Sequence, residues 1–384
     1  MYQNVGKLIG FYRKQKWENT KDAKYVQINF IKFDQRLICS QSKLSTIENG
    51  NIKNPYPEEY HSLIMNLGFQ PLDYFNVESN YEVFLSKLLY TIQYDNIESL
   101  NELVIEFEIN LERYNSFFYL SNVNEIIKFT FNYLKSVSLP NMDNFDFYIK
   151  SIDCYSKDIQ CLILNLAYLL VENYNPSHEA RNQITKLILN TKINNPLIEI
   201  LKATLYLRQR NFKIVNKILS LIDFDMLNNY LKFKIERLRF MMETENVDEL
   251  KQLLCIQNPS YRYFEINRFE FCRTFMHTAT LLYSFKEFVL SFEQYQEAIR
   301  INPEVSCLSL IYLFDCLYES NQLNIFEGFY NLSKLYLDKY TQLHRDICEF
   351  CNTLSNNYST SINSELLNSL LRIYQHLIEK ALIF

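Results

Sequence analysis

The sequence predicts an all-α protein with a small basic head and a long helical-repeat body, and three observations predict it. From Tyr81 onward Gly and Pro become sparse while Leu, Ile, Phe and Tyr recur at helical spacing. Short polar breaks punctuate that pattern: YDNIESL (94–100), RNFKIVN (210–216), ENVDELK (245–251), SFKEFVL (284–290) and SNQLNIF (320–326). Asn211 and Asn246 lie 35 residues apart, the length of one helical pair in a stacked array. Charge marks off the head: residues 1–70 carry ten Lys or Arg against six acids, so the head is +4 inside a chain whose net charge is -5. At 384 residues and 48% apolar content the chain has ample material for a core, and the expected boundaries are 1–76 for the head and 77–384 for the body.

In the head, Val5, Leu8, Ile9 and Tyr12 fall at i, i+3, i+4 and i+7, predicting an amphipathic first helix that ends near Trp17. The alternation in VQINF (26–30) predicts a short strand. In ICSQSKLSTIENG (38–50), Ser40 suits an N-cap, Leu44 and Ile47 point inward, and Gln41, Ser42, Lys43, Ser45 and Thr46 are left outside. Gly50 suits the left-handed stop. Tyr60, Leu63, Ile64 and Leu67 repeat the helical pattern, with Pro57, Glu58 and Glu59 suited to its first turn and Gly68 to its end.

The run C-S-Q-S-K-L-S-T-I-E-N-G (39–50) resembles the recognition helix of the lambda-repressor-like (XRE) helix-turn-helix family, and the resemblance covers about residues 4–76. It implies a second helix capped at Asn29, with Phe33, Leu37 and Cys39 on its apolar positions. It also implies a tether between Arg13, late in the first helix, and Glu48 of the E-N-G. The chain departs from the family in three places. Residues from about 16 to 28 read as an insertion, Asp34 stands where the family has a small apolar residue, and Phe30 replaces a polar phosphate-contacting one. Short amide, hydroxyl and ammonium side chains at the start of an exposed helix can reach base edges in a major groove, so Gln41, Ser42, Lys43, Ser45 and Thr46 are the candidate DNA contacts.

In the body, Ala279, Ser291, Tyr295, Ala298 and Pro303 stand at the spacing of the small, aromatic and terminal positions of a tetratricopeptide repeat, which this segment resembles. The remaining units are degenerate, and roughly six to eight repeats fit the length. Stacked pairs leave a concave surface lined by the first helix of each pair, and this register puts Arg273 and Thr280 there, with Thr204 and Arg239 in the same place in earlier units.

Other function classes find little support. No run is long and apolar enough to span a bilayer, and MYQNVGKLIGFYRKQKW lacks the apolar core and cleavage site of a signal peptide, so a cytoplasmic protein is expected. Nine scattered cysteines read as reduced, mostly buried thiols; Cys348 and Cys351 have CxxC spacing but no second pair or histidine cluster to complete a metal site. Five dispersed histidines, no Gly-rich phosphate loop and no nucleophile signature predict no catalysis, metal or cofactor.

A lambda-repressor-like head on a tetratricopeptide-like body resembles the RRNPP quorum-sensing regulators. That resemblance implies a homodimer that binds operator DNA through its heads and a short signalling peptide through its bodies. It also admits a second reading, a scaffold that sequesters a protein partner such as a response regulator while its head is vestigial.

Overall fold

A computed structural model describes residues 2–70, 77–94, 98–115, 117–135, 142–174, 178–228, parts of 231–242, 268–303, 309–339 and 342–358. Those residues form seventeen α-helices and one two-stranded ribbon. They fall into two compact units: Met1–Asn132 with Leu139–Tyr168 and Lys186–Glu236, and Tyr133–Ser138 with Leu169–Thr185 and Arg237–Phe384.

The first unit begins with α1 (Tyr2–Thr20), which buries Val5, Leu8 and Ile9 and runs past Trp17 until Lys21 turns left-handed at φ 54°. A 3-10 turn (Ala23–Tyr25) leads into α2 (Gln27–Phe30), so VQINF makes a helical turn where a strand was expected. Then come β1 (Lys32–Phe33), β2 (Arg36–Leu37), α3 (Gln41–Glu48) and α4 (Pro57–Asn66). Both α3 and α4 end as their sequences suggest. Gly50 and Gly68 adopt φ 68° and 84°, and the amides after them, Asn51 and Phe69, reach back to the Thr46 and Ile64 carbonyls at 3.0 and 3.1 Å.

The second helix expected from Asn29 does not form. Its place is taken by an antiparallel hairpin in which Lys32 pairs with Leu37 and Phe33 with Arg36. Asn29 spends its side chain on the Ala23 carbonyl, 2.9 Å away, and caps nothing downstream. Asp34 and Gln35 both take positive φ, 46° and 63°, which is what a two-residue hairpin turn demands. The deciding contact is tertiary. Asn66 on α4, buried, donates through its side-chain nitrogen to the carbonyls of Phe30 (2.7 Å) and Lys32 (3.0 Å), and so fixes the strand at the base of the hairpin. Leu37 is consequently 65% exposed instead of facing a core, while Cys39 is buried.

Eight helices continue the chain: α5 (Glu78–Tyr94), α6 (Glu98–Asn110), α7 (Phe118–Leu134), α8 (Met142–Lys150), α9 (Lys157–Tyr174), α10 (His178–Asn190), α11 (Pro196–Arg208) and α12 (Phe212–Ser220). A buried polar knot locks α5 to α7: Tyr81 donates to Asn124 Oδ1 at 2.7 Å, and Asn124 Nδ2 donates to the Leu111 carbonyl (3.1 Å) and Asn115 Oδ1 (2.8 Å). Every position from Cys161 to Val171 on α9 is buried, which accounts for an apolar run interrupted only by Asn165.

The head docks on α7, α8 and the turn after them inside the same unit, while Leu169–Thr185 of α9 and α10 belongs to the second. The Tyr12 ring lies 5.1 to 5.3 Å from the rings of Phe69, Phe118 and Phe147, and its hydroxyl meets Asn122 Oδ1 at 3.5 Å. Lys7 donates to the Asp153 carbonyl at 3.2 Å. The expected boundary at 76/77 adjoins 71–76, which lie outside the described residues, and the compact unit extends well past it.

The second unit contains α13 (Arg268–Ser284), α14 (Phe288–Ile301), α15 (Leu310–Glu319), α16 (Phe326–Ser333) and α17 (Gln342–Tyr358). The pair α13/α14 is antiparallel, because Cys272 contacts the Ala298 carbonyl (3.3 Å) near one end and Ser291 donates to the Ala279 carbonyl (2.8 Å) nearer the other. Ala279, Ser291, Tyr295 and Ala298 are all fully buried, so the small residues let the two backbones approach while Tyr295 fills the seam and meets Thr280 at 3.0 Å. Cys348 and Cys351 are fully buried in the apolar core of this unit.

One turn recurs. Arg210, Lys286 and Asn321 each take a left-handed φ of 55° to 62° after a helix end. The next amides reach back to Tyr206, Leu282 and Leu317 at 2.9, 3.0 and 2.7 Å. These turns fall at the RNFKIVN, SFKEFVL and SNQLNIF breaks, and Lys286 and Asn321 are 35 residues apart. The ENVDELK break lies outside the described residues.

Candidate nucleic-acid interface

The candidate interface is built on α3, a helix of only eight residues whose orientation is fixed by its neighbours. Ser40 caps it by accepting the Lys43 amide at 3.1 Å. Leu44 and Ile47 are fully buried under it. On its inner side α1 crosses without room for side chains: a Cβ on Gly6 would lie 2.3 Å from the Ile47 carbonyl oxygen, and one on Gly10 would lie 2.9 Å from Glu48 Cβ.

At the crossing Arg13 and Glu48 meet in a two-point contact, Nε to Oε1 at 2.5 Å and Nη2 to Oε2 at 2.9 Å. Both side chains are nearly inaccessible, 7% and 5% exposed. Arg13 also donates to the Tyr25 carbonyl at 2.9 Å. Gln27 donates to Glu48 Oε2 at 3.2 Å and accepts from Gln41 at 3.5 Å. A chain of polar contacts thus runs from α1 through α2 to the first residue of α3. It holds Gln41 at the surface through its side-chain nitrogen.

The candidate DNA contacts are not equivalent. Gln41 and Ser42 are exposed, while Ser45 and Thr46 are half-buried. Thr46 donates its hydroxyl to the Ser42 carbonyl at 3.0 Å, leaving it only acceptor capacity. Lys43 was expected to face a ligand and instead is held within the head: its ammonium meets Glu59 Oε1 at 2.6 Å and sits 4.3 Å from the centre of the Tyr56 ring. The Glu59 carboxylate, in the first turn of α4, holds the charge that sequence spacing assigned to the outer face.

The ten cations of the head divide into internal and outward charge. Lys7, Arg13, Lys16, Lys21, Lys24 and Lys43 each touch a carbonyl, a carboxylate or a ring. Lys14, Lys32, Arg36 and Lys53 are exposed and make no hydrogen bond, ion pair or ring contact among the described residues. Lys32 and Arg36 lie on the hairpin just before α3, and Lys53 lies just after it. Sequence reading counted these charges but missed their position, since the hairpin that presents them was itself unforeseen.

Comparison with protein families, with curated proteins and with solved structures finds no match for this chain.

The four residues expected to line a peptide groove are divided between the two units, Thr204 in the first and Arg239, Arg273 and Thr280 in the second. Thr204, in the first unit, is buried and donates its hydroxyl to the Ile200 carbonyl at 2.8 Å, so it lines no open surface. Its helix is packed on that side, and the hydroxyl has satisfied itself within its own turn. Arg239 and Thr280 belong to the second unit and are exposed, but the Thr280 hydroxyl is bonded to the Met276 carbonyl (2.8 Å) and Tyr295 (3.0 Å). Arg273 lies on α13 with its side chain outside the described residues. A cleft of about 470 Å³ between α5 and α6 is lined by Ser86, Lys87, Tyr90 and Glu102 among others, and its lining includes none of Thr204, Arg239, Arg273 and Thr280.

Among the described residues no helix is long and apolar enough to cross a membrane, and no group of His, Cys, Asp and Glu is placed to hold a metal ion. The thiols are placed for packing: Cys39 and Cys154 are pushed up to about 11 and about 12, in both cases chiefly by burial.

Proposed function

We propose that this chain is a cytoplasmic, non-enzymatic transcriptional regulator that binds duplex DNA through α3 and answers to a short signalling peptide through its helical body, acting as a homodimer. The observation that carries the DNA reading is the rigid presentation of Gln41 and Ser42. Apolar burial, two glycine contacts and the buried Arg13–Glu48 pair fix the inner side of α3, while its first turn stays open to solvent. A helix held this way spends little entropy on docking into a groove. The peptide and dimer parts rest on the resemblance of head and body to RRNPP regulators. Binding-site selection from random duplex DNA tests the reading, and enrichment of a two-fold symmetric site is the expected result.

The hairpin in place of a second helix and the neutralised Lys43 favour an alternative in which the head no longer reads DNA and the body sequesters a protein partner. Failure of the selection to enrich any sequence supports that alternative.

A further inference from the structure

We propose that the hairpin Lys32–Leu37 is a second DNA contact, in which Lys32 and Arg36 grip backbone phosphates beside the groove that α3 enters. The proposal rests on the DNA-binding reading of the head and adds an element to it.

Three features of the hairpin point the same way. First, it is anchored. Asn66 holds the carbonyls of Phe30 and Lys32, and the Ile38 amide donates to the Ile31 carbonyl at 2.8 Å, closing the base of the ribbon two residues before the Ser40 cap. The ribbon and α3 therefore move as one piece. Second, the hairpin is maintained against a local cost. Asp34 and Gln35 hold left-handed backbone without glycine at either place, a conformation that persists only where the surroundings over-determine it. Third, it carries charge that no other described residue uses. Lys32 and Arg36 are two of the four unengaged cations of the head, and Lys53 flanks α3 on its other end.

The pairing register sets how those cations are presented. Directly opposed residues share a face of the ribbon, so Lys32 stands with Leu37 and Arg36 with the half-buried Phe33. The two charges thus leave from opposite faces of one narrow ribbon. Asp34 at the tip is exposed and would be repelled by phosphate. The strand faces, and not the tip, make the contact. A polyanion that offers phosphates at regular spacing on either side of a groove fits this arrangement, and duplex DNA is the polyanion we assign.

The test measures binding of the full chain to a mixed-sequence 30-bp duplex by fluorescence anisotropy across a salt series. Loss of two phosphate contacts flattens the slope of log Kobs against log salt by about 1.8. The K32A/R36A variant is expected to show that flattening with unchanged circular dichroism. K213A/K217A removes the same charge from exposed positions on α12 and is expected to leave the slope alone. D34N removes the repulsive charge, and tighter binding is expected. A K32A/R36A slope equal to wild type, an equal flattening in K213A/K217A, or unchanged affinity in D34N each overturns the hairpin assignment while the DNA-binding reading stands. Absence of any wild-type binding to the duplex overturns both.

Discussion

The guanidinium of Arg13 and the carboxylate of Glu48 face each other in a buried two-point contact that joins α1 to α3. Removing one partner strands the other, at a cost of about 3 to 5 kcal/mol for a buried pair. Glu48→Gln keeps the size of the side chain and one oxygen for Arg13, but removes the carboxylate charge and sets an NH2 group where the second oxygen accepted from the guanidinium. Denaturant unfolding followed by circular dichroism is expected to show that loss. A midpoint unchanged from wild type would mean that water reaches the pair in solution.

Glycine substitutions should separate crowded from open positions. Gly6→Ala drives a methyl group into the Ile47 backbone, which has no flexible side chain to yield, so destabilisation of about 1 to 3 kcal/mol is expected. Gly328→Ala, on α16 with nothing within 4 Å of the added Cβ, is expected to gain about 0.5 to 1 kcal/mol by restricting the unfolded chain. Thermal melts of the two variants should move in opposite directions.

Gln41→Ala removes the exposed amide at the start of α3 and its contact with Gln27, and leaves Leu44 and Ile47 in place beneath the helix. If that amide reads a base edge, the variant loses about 1 to 3 kcal/mol on the selected site and much less on unrelated duplex. Competition binding with the two duplexes measures the difference, and equal losses on both would rule out base reading by Gln41.

Asp315 provides a pH-dependent signature of the second unit. Burial raises its carboxyl above the ordinary Asp range, and the hydrogen bond from Tyr283 only partly offsets that. The folded state therefore binds this proton more tightly than the unfolded chain. Its contribution is fully present below the unfolded value, about 3.9, and is lost as pH rises through the raised folded value. Asp315→Asn keeps an oxygen for Tyr283 and removes the titration. Stability curves from pH 4 to 7 are expected to show wild type losing ground to the variant as pH rises; parallel curves would refute the assignment.

Much of the helical body was legible because burial and chain reversal leave local marks. The breaks at 210–216, 284–290 and 320–326 interrupt apolar periodicity, and each contains a left-handed residue in the structure. That these residues are Arg210, Lys286 and Asn321 shows that polar interruption, more than glycine, announced the turns. Ser40, Gly50 and Gly68 were readable for the same local reason. The hairpin was not, because Asp34–Gln35 is a weak turn dipeptide and the contact that stabilises it comes from Asn66, more than thirty residues on. The outward direction of Lys43 failed similarly, since its partner Glu59 lies on another helix. Thr204 was misplaced because a repeat register fixes the helix face only as well as the repeat is known, and its neighbours bury that face.

The rings around Tyr12 make the head a poor cassette. Phe11, Tyr12 and Phe69 share edges with Phe118 and Phe147, which belong to α7 and α8. A fragment cut after the head would bare three aromatic side chains to water, inviting aggregation in any chimera that borrows only the first seventy residues. The same seam ties any shift of α7 or α8 to α1, because the joint they share is packed ring against ring.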